Sequence, residues 1–147
     1  MFNDNTGSDR FGTGRDSSAP PRRILVAEDD HEMADLVVGA LRKAGYDTET
    51  CHDGLELLRH LKFSESDDLT EFDLVISDIR MPHISGLDVL RAKNYGGEFP
   101  PIILITAFGD EWTHGKAQYL GAVDIFDKPF EIADLVSRVR ELVPLRT

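Results

Sequence analysis

The chain has 147 residues, 41% of them hydrophobic, and a formal net charge of −11, which is length and apolar content enough for one domain with a buried core. No apolar run approaches the roughly 18 residues needed to span a bilayer, and no cluster of Lys and Arg offers the basic face that nucleic-acid phosphates require, so neither membrane insertion nor direct nucleic-acid binding is expected. The lone Cys51 excludes an internal disulfide and residues 1–21 lack the apolar stretch of a secretory signal, which together point to a cytoplasmic protein.

Residues 1–22 are rich in Gly, Ser, Asp, Asn and Pro without apolar periodicity. Such a segment cannot bury enough surface to offset its ordering entropy, so a disordered N-terminal extension is expected, followed by one domain over 23–147. From Arg23 the chain alternates strand and helix signals, the pattern of a parallel sheet with crossover helices. A first strand over 24–27 runs into Glu28, Asp29 and Asp30. Met33, Leu36, Val37, Ala40 and Leu41 then recur at helical intervals until Gly45, with Asp30 placed as a helix N-cap. Residues 46–50 read as a second strand with Cys51, an inert thiol, at its end, and Leu57, Leu58 and Leu61 mark a second helix. Residues 64–68 are acidic and read as a solvated loop.

Leu74, Val75 and Ile76 form a third strand that delivers Asp78 into a loop broken by Pro82. Gly86 opens a third helix carrying Leu87 and Leu90. A fourth strand over 102–105 ends at Thr106, and a fourth helix runs from about 110 to 120, with Asp110 as a possible cap and Gly121 as its stop. Ile125, Phe126 and Asp127 form a fifth strand that ends at Lys128 and Pro129. In the fifth helix Ile132, Leu135, Val136, Val139, Leu142 and Val143 share one stripe. In a parallel sheet the C-terminal strand ends lie along one edge, where open α/β folds build their ligand sites. Carboxylates, a hydroxyl and an ammonium therefore converge there. Helix capping accounts for Asp30 and Asp110 but for neither Asp78 nor Lys128.

Four motifs stand at those strand ends in order: Leu-Val-Ala-Glu-Asp-Asp, Ile-Ser-Asp-Ile-Arg-Met-Pro with Gly86 following, Ile-Thr-Ala-Phe-Gly-Asp, and Asp-Lys-Pro-Phe. Over residues 22–143 the chain resembles a response-regulator receiver domain of two-component signalling, of the chemotaxis-type single-domain kind. The resemblance implies a flavodoxin-like, doubly wound (βα)5 fold with strand order 2-1-3-4-5. It implies that Asp78 is the phosphoacceptor, attacking the phosphohistidine of a histidine kinase or histidine phosphotransfer protein. By the same resemblance Asp29 is a direct Mg²⁺ ligand, Glu28 an outer acid reaching the ion through water, and Arg80 the residue whose backbone carbonyl faces it. Thr106 resembles the hydroxyl that closes on the phosphoryl group and Lys128 the cation that pairs with it, with Arg80 and Phe108 flanking the site where phosphoryl lifetime is tuned. Such a protein is no enzyme in the usual sense, although it assists its own phosphorylation and dephosphorylation.

Elementary electrostatics agrees with that assignment, because three converging carboxylates repel and a hard divalent cation with oxygen ligands relieves them. The chain departs from the family at Ile125, where an aromatic switch residue usually stands, and strand alternation turns the adjacent Phe126 to the opposite face. The resemblance also implies a downstream protein partner on the face formed by the fourth helix, fifth strand and fifth helix, where Trp112, Gly115 and Tyr119 share a surface beside the inward stripe of Thr113, Ala117 and Leu120. Three alternatives remain. A receiver excised from a larger response regulator would look the same. A pseudo-receiver that only binds partners would have lost an acid, Thr106 or Lys128. A haloacid-dehalogenase-type phosphatase would need a second Asp where Arg80 stands.

Overall fold

The computed structural model describes residues 21–62, 72–93, 99–107 and 109–146. Residues 1–20, the acidic stretch 64–68 and Phe108 lie outside the described residues. The strands are β1 (Arg23–Ala27), β2 (Asp47–Cys51), β3 (Leu74–Asp78), β4 (Ile102–Thr106) and β5 (Asp124–Asp127), and the helices are α1 (His31–Lys43), α2 (Gly54–Lys62), α3 (Gly86–Lys93), α4 (Glu111–Leu120) and α5 (Ile132–Leu142). All strand pairs are parallel, in the order β2-β1-β3-β4-β5, which is the expected 2-1-3-4-5.

The sequence explains which strands are central. β3 and β4 are buried along their whole length and β1 nearly so, because helices cover both faces and polar residues have no solvated side to occupy. The edge strands β2 and β5 carry the polar residues. Alternation along each strand divides the core. Ile24, Val26, Leu74, Ile76, Ile103 and Ile105 meet α1 and α5 through Val37, Leu41, Leu135 and Val139. Leu25, Ala27, Val75, Ile102 and Leu104 meet α2, α3 and α4 through Leu57, Leu90, Ala117 and Leu120. The chain reverses its winding between β1 and β3, so the crevice at the C-terminal ends of those two strands is the topological switch point.

Local capping follows the sequence. Asp30 caps α1 by accepting from the amides of Glu32 at 3.0 Å and Met33 at 3.3 Å. At the other end Tyr46 N–H donates to Leu41 O and Gly45 N–H to Arg42 O, with Gly45 left-handed. Asp110 and Gly121 serve α4 in the same way.

Three details differ from the sequence reading. In α1 the buried stripe is Ala34, Val37, Val38 and Leu41, and Leu36 is 58% exposed. The helical phase that puts Val37 and Leu41 on the sheet turns Leu36 outward. The second strand starts at Asp47 and includes Cys51. Tyr46 instead enters the core and donates its hydroxyl to Val143 O at 2.6 Å. In α3 Val89 joins Leu90 in the core while Leu87 is only half buried. Arg22 accepts from Asp47 N–H through its carbonyl, and its side chain reaches Pro144 O at 3.3 Å and Asp73 at 3.4 Å. No helix among the described residues is long and apolar enough to cross a membrane.

Candidate functional site

Glu28 directly follows β1, and its amide extends the ladder to Cys51 O at 3.0 Å, which directs its carboxylate into the crevice, where only 2% of the residue is exposed. Asp29 is exposed at the mouth, and Asp78, the last residue of β3, is buried. One carboxylate oxygen from each of Glu28, Asp29 and Asp78 lies within 4.8 Å of the others. Lys128 enters from just beyond β5 and donates from Nζ to Asp78 Oδ2 at 2.8 Å and to Glu28 Oε1 at 3.3 Å. The remaining oxygens are met by backbone: Asp78 Oδ1 accepts from Arg80 N–H at 3.0 Å and Glu28 Oε2 from Asp30 N–H at 3.2 Å.

Thr106 ends β4 and is buried. It stands one position beyond Ile105, the register partner of Asp78, and its carbonyl accepts from Lys128 N–H at 2.7 Å. Glu28, Asp29, Asp78, Arg80, Thr106 and Lys128 thus lie at one end of the sheet, with Arg80 contributing its amide to Asp78 directly.

The electrostatics is that of an overcrowded anionic pocket. Burial pushes the Glu28 carboxyl up to about 7, the neighbouring Asp78 carboxylate adds to this, and the Asp30 amide and Lys128 oppose it. For Lys128 burial disfavours the charge, but hydrogen bonding and attraction to Asp78 and Glu28 outweigh it and the ammonium is held above its ordinary value.

The loop after Asp78 folds back over the strand end, with Gly86 N–H donating to Ile79 O at 2.9 Å. A Cβ on residue 86 would stand 2.7 Å from Asp78 O and 3.1 Å from Ile79 Cα, both backbone atoms that cannot step aside. Gly86→Ala is therefore expected to destabilise the protein by about 1–3 kcal/mol through overpacking, which urea unfolding measures.

Some neighbours of the pocket had no sequence signal. His31 and His52 stack at 4.1 Å between ring centroids, and His52 Nδ1 donates to Glu28 O at 2.9 Å. An open groove of about 520 Å³, lined by Asp29, Ile79, Arg80, Met81, Pro82, Ser85 and Leu87, borders the pocket. Cys51 is fully buried, and burial with nearby acids pushes its thiol up to about 12, in keeping with an inert role. Ile125 packs with Leu104, Ala117 and Leu120, while Phe126 packs on the opposite face and meets the Phe130 ring edge-on. On α4 the expected outward face is present, with Trp112 68% and Tyr119 83% exposed.

The family profile described as response regulator receiver domain matches residues 24–140. The chain belongs to the response regulator receiver family. Its curated relatives include the transcriptional regulatory protein DltR of Streptococcus agalactiae, 35% identical over 119 residues that make up 80% of this chain and 50% of DltR. CusR of Escherichia coli is 32% identical over 121 residues, 82% of this chain and 51% of CusR. The receiver therefore spans about half the length of these relatives. Among solved structures, the Francisella response regulator 1452 receiver domain superposes with a TM-score of 0.72 at 27% identity, covering 82% of this chain and 95% of that one.

Proposed function

We propose that this receiver accepts a phosphoryl group on Asp78 from the phosphohistidine of a histidine kinase or histidine phosphotransfer protein. The observation that carries the reading is the Asp78 carboxylate itself, buried at the switch point and held between Lys128 Nζ and the Arg80 amide beside two further acids. In the transfer a carboxylate oxygen of Asp78 attacks phosphorus, the P–N bond to the donor imidazole breaks, and the imidazole nitrogen is reprotonated from solvent. The ammonium of Lys128 moves from pairing with Asp78 to pairing with the new phosphoryl oxygens, and the Thr106 hydroxyl donates to another of them. Positioning and charge stabilisation are most of what this chemistry asks.

A divalent cation fits the residues present. The donor set is all oxygen, Glu28 and Asp78 share the Lys128 ammonium with Asp29 close by, and Glu28 resists ionising in this pocket, the condition a hard cation relieves. Glu28, Asp29, Asp78 and the Arg80 carbonyl are the groups that would hold Mg²⁺, whose chemistry when bound is to neutralise carboxylate and phosphoryl charge. The groove beside Asp29 and Arg80 gives a phosphodonor its approach.

The signal leaves through the α4-β5-α5 face to a downstream protein partner, in the cytoplasm and without direct contact to nucleic acid by this domain, whose charge is acidic overall. The receiver assists its own phosphorylation and dephosphorylation rather than turning over a separate substrate. One specific observation favours the reading that the domain belongs to a larger response regulator: relatives named transcriptional regulatory proteins are about twice the length of the match.

Incubation with acetyl phosphate and Mg²⁺ is expected to add one acid-stable, base-labile phosphoryl group, read by intact mass, and chelation of the metal should prevent it. A chain that stays unlabelled at saturating donor would be a partner-binding pseudo-receiver.

A further inference from the structure

Asp127, the last residue of β5, accepts a hydrogen bond from His114 Nε2 of α4 at 2.8 Å. This contact joins α4 to the strand end that carries Lys128. Asp127 is also the register partner of Thr106 across the β4-β5 ladder. Three residues beyond Thr106, Gly109 runs directly against the pair. A Cβ at that position would overlap the Asp127 carboxylate and stand 2.7 Å from His114 Nε2. Only a glycine fits there, so residue 109, the β5 end and α4 meet at one point.

Elsewhere α4 buries few side chains. Its buried residues are Ala117 and Leu120, and between α4 and β5 a cavity of about 210 Å³ is lined by His114, Ala117, Gln118 and Ile125 among others. Ile125, packed against the cluster that holds Ala117 and Leu120, borders this cavity without filling it.

We propose that the His114–Asp127 pair is the positioning contact that carries the state of the phosphoacceptor pocket to α4 in this chain, an inference that rests on the phosphoacceptor reading above. Movement of Thr106 toward a phosphoryl group on Asp78 draws Gly109 off the pair, and His114 moves with it because its ring loses the wall that fixes it. Both side chains are partly exposed, at 36% and 51%, so the pair adds little to stability and its removal leaves the fold intact. Its effect is on position.

The experiment compares wild type with His114→Leu, Asp127→Ala and His114→Gln, the last of which keeps a donor near the place of Nε2. Labelling by acetyl phosphate with Mg²⁺ is read by intact mass. The response of α4 is read as the change in Trp112 emission on adding beryllofluoride with Mg²⁺, so any direct effect of a substitution on the resting emission cancels. All four proteins are expected to be labelled equally. His114→Leu and Asp127→Ala should lose most of the emission change while His114→Gln keeps it. A full emission change in both His114→Leu and Asp127→Ala would overturn the link and leave the phosphoacceptor reading standing, as would a labelled wild type whose emission does not respond. Failure to label wild type would overturn the reading and the link together.

Discussion

Asp78→Asn is expected to abolish phosphoryl transfer to this chain altogether. The substitution leaves the shape of the pocket nearly unchanged, since Oδ1 can still accept from the Arg80 amide, but it replaces an anionic nucleophile by a neutral amide. Glu28, although equally buried, is spoken for on both oxygens by Lys128 and the Asp30 amide and is inclined to hold a proton. Asp29 is solvated and is not paired with Lys128 in the way Asp78 is. Neither acid can therefore stand in. Intact mass after acetyl phosphate and Mg²⁺ checks this, and continued labelling of Asp78→Asn at the wild-type level would remove Asp78 from the role.

The second large effect is on stability, and its sign follows from Glu28. The folded carboxyl titrates near 7 against 4.5 for the free side chain, so between those values the folded state keeps a proton that the unfolded chain has released. The stabilising contribution is complete below pH 4.5 and is lost as pH rises through 7. Without divalent metal, the wild-type melting temperature should fall across that window by an amount equivalent to roughly 1–2 kcal/mol, after allowing for water at the pocket mouth. Glu28→Gln should remove this component of the slope. Near pH 7.5, Mg²⁺ at about 100 times its dissociation constant should restore about 2.7 kcal/mol to wild type, because it binds only the folded state. Asp29→Asn should be more stable than wild type without metal and should gain little from Mg²⁺, since one repelling charge and one ligand are gone. Thermal melts with and without Mg²⁺ at two pH values measure all of this, and identical wild-type curves would contradict the pocket as described.

Features governed by neighbours in sequence were readable before the structure. Asp30 and Asp110 cap their helices because the amides they satisfy are two or three residues away, and Gly45 and Gly121 end theirs for equally local reasons. The strand ends were readable because each apolar run stops at a polar residue, and parallel pairing brings such stops to one edge, which is how Glu28, Asp78, Thr106 and Lys128 came to be grouped. The opposite facing of Ile125 and Phe126 followed from the two-residue period of a strand.

What escaped the sequence depends on contacts between distant residues. Tyr46 looked like a strand residue, yet its hydroxyl finds Val143, 97 positions away. His114 lay in no motif and Asp127 only opened Asp-Lys-Pro-Phe, so nothing joined the two, and the one hint was a glycine at 109 whose need is visible only when the Asp127 carboxylate is seen beside it. Leu36 was misplaced because an amphipathic stripe read by spacing alone leaves its rotational phase uncertain by one residue, which here turns a large side chain from core to solvent.

The hydrogen bond from Arg22 to the carbonyl of Pro144 places the two ends of the folded unit side by side. Both ends lie where the strands begin, one strand length, about 16 Å, from the pocket at the opposite edge. A module joined directly at Arg22 or Pro144 therefore meets the domain on the side opposite Asp78, close to whichever module occupies the other end. A change at Asp78 reaches a module held at that end through the helices and strands in between. The same geometry makes either end of the folded unit a safe handle: a surface or a fluorescent protein attached at Arg22 or Pro144 leaves the pocket facing solution.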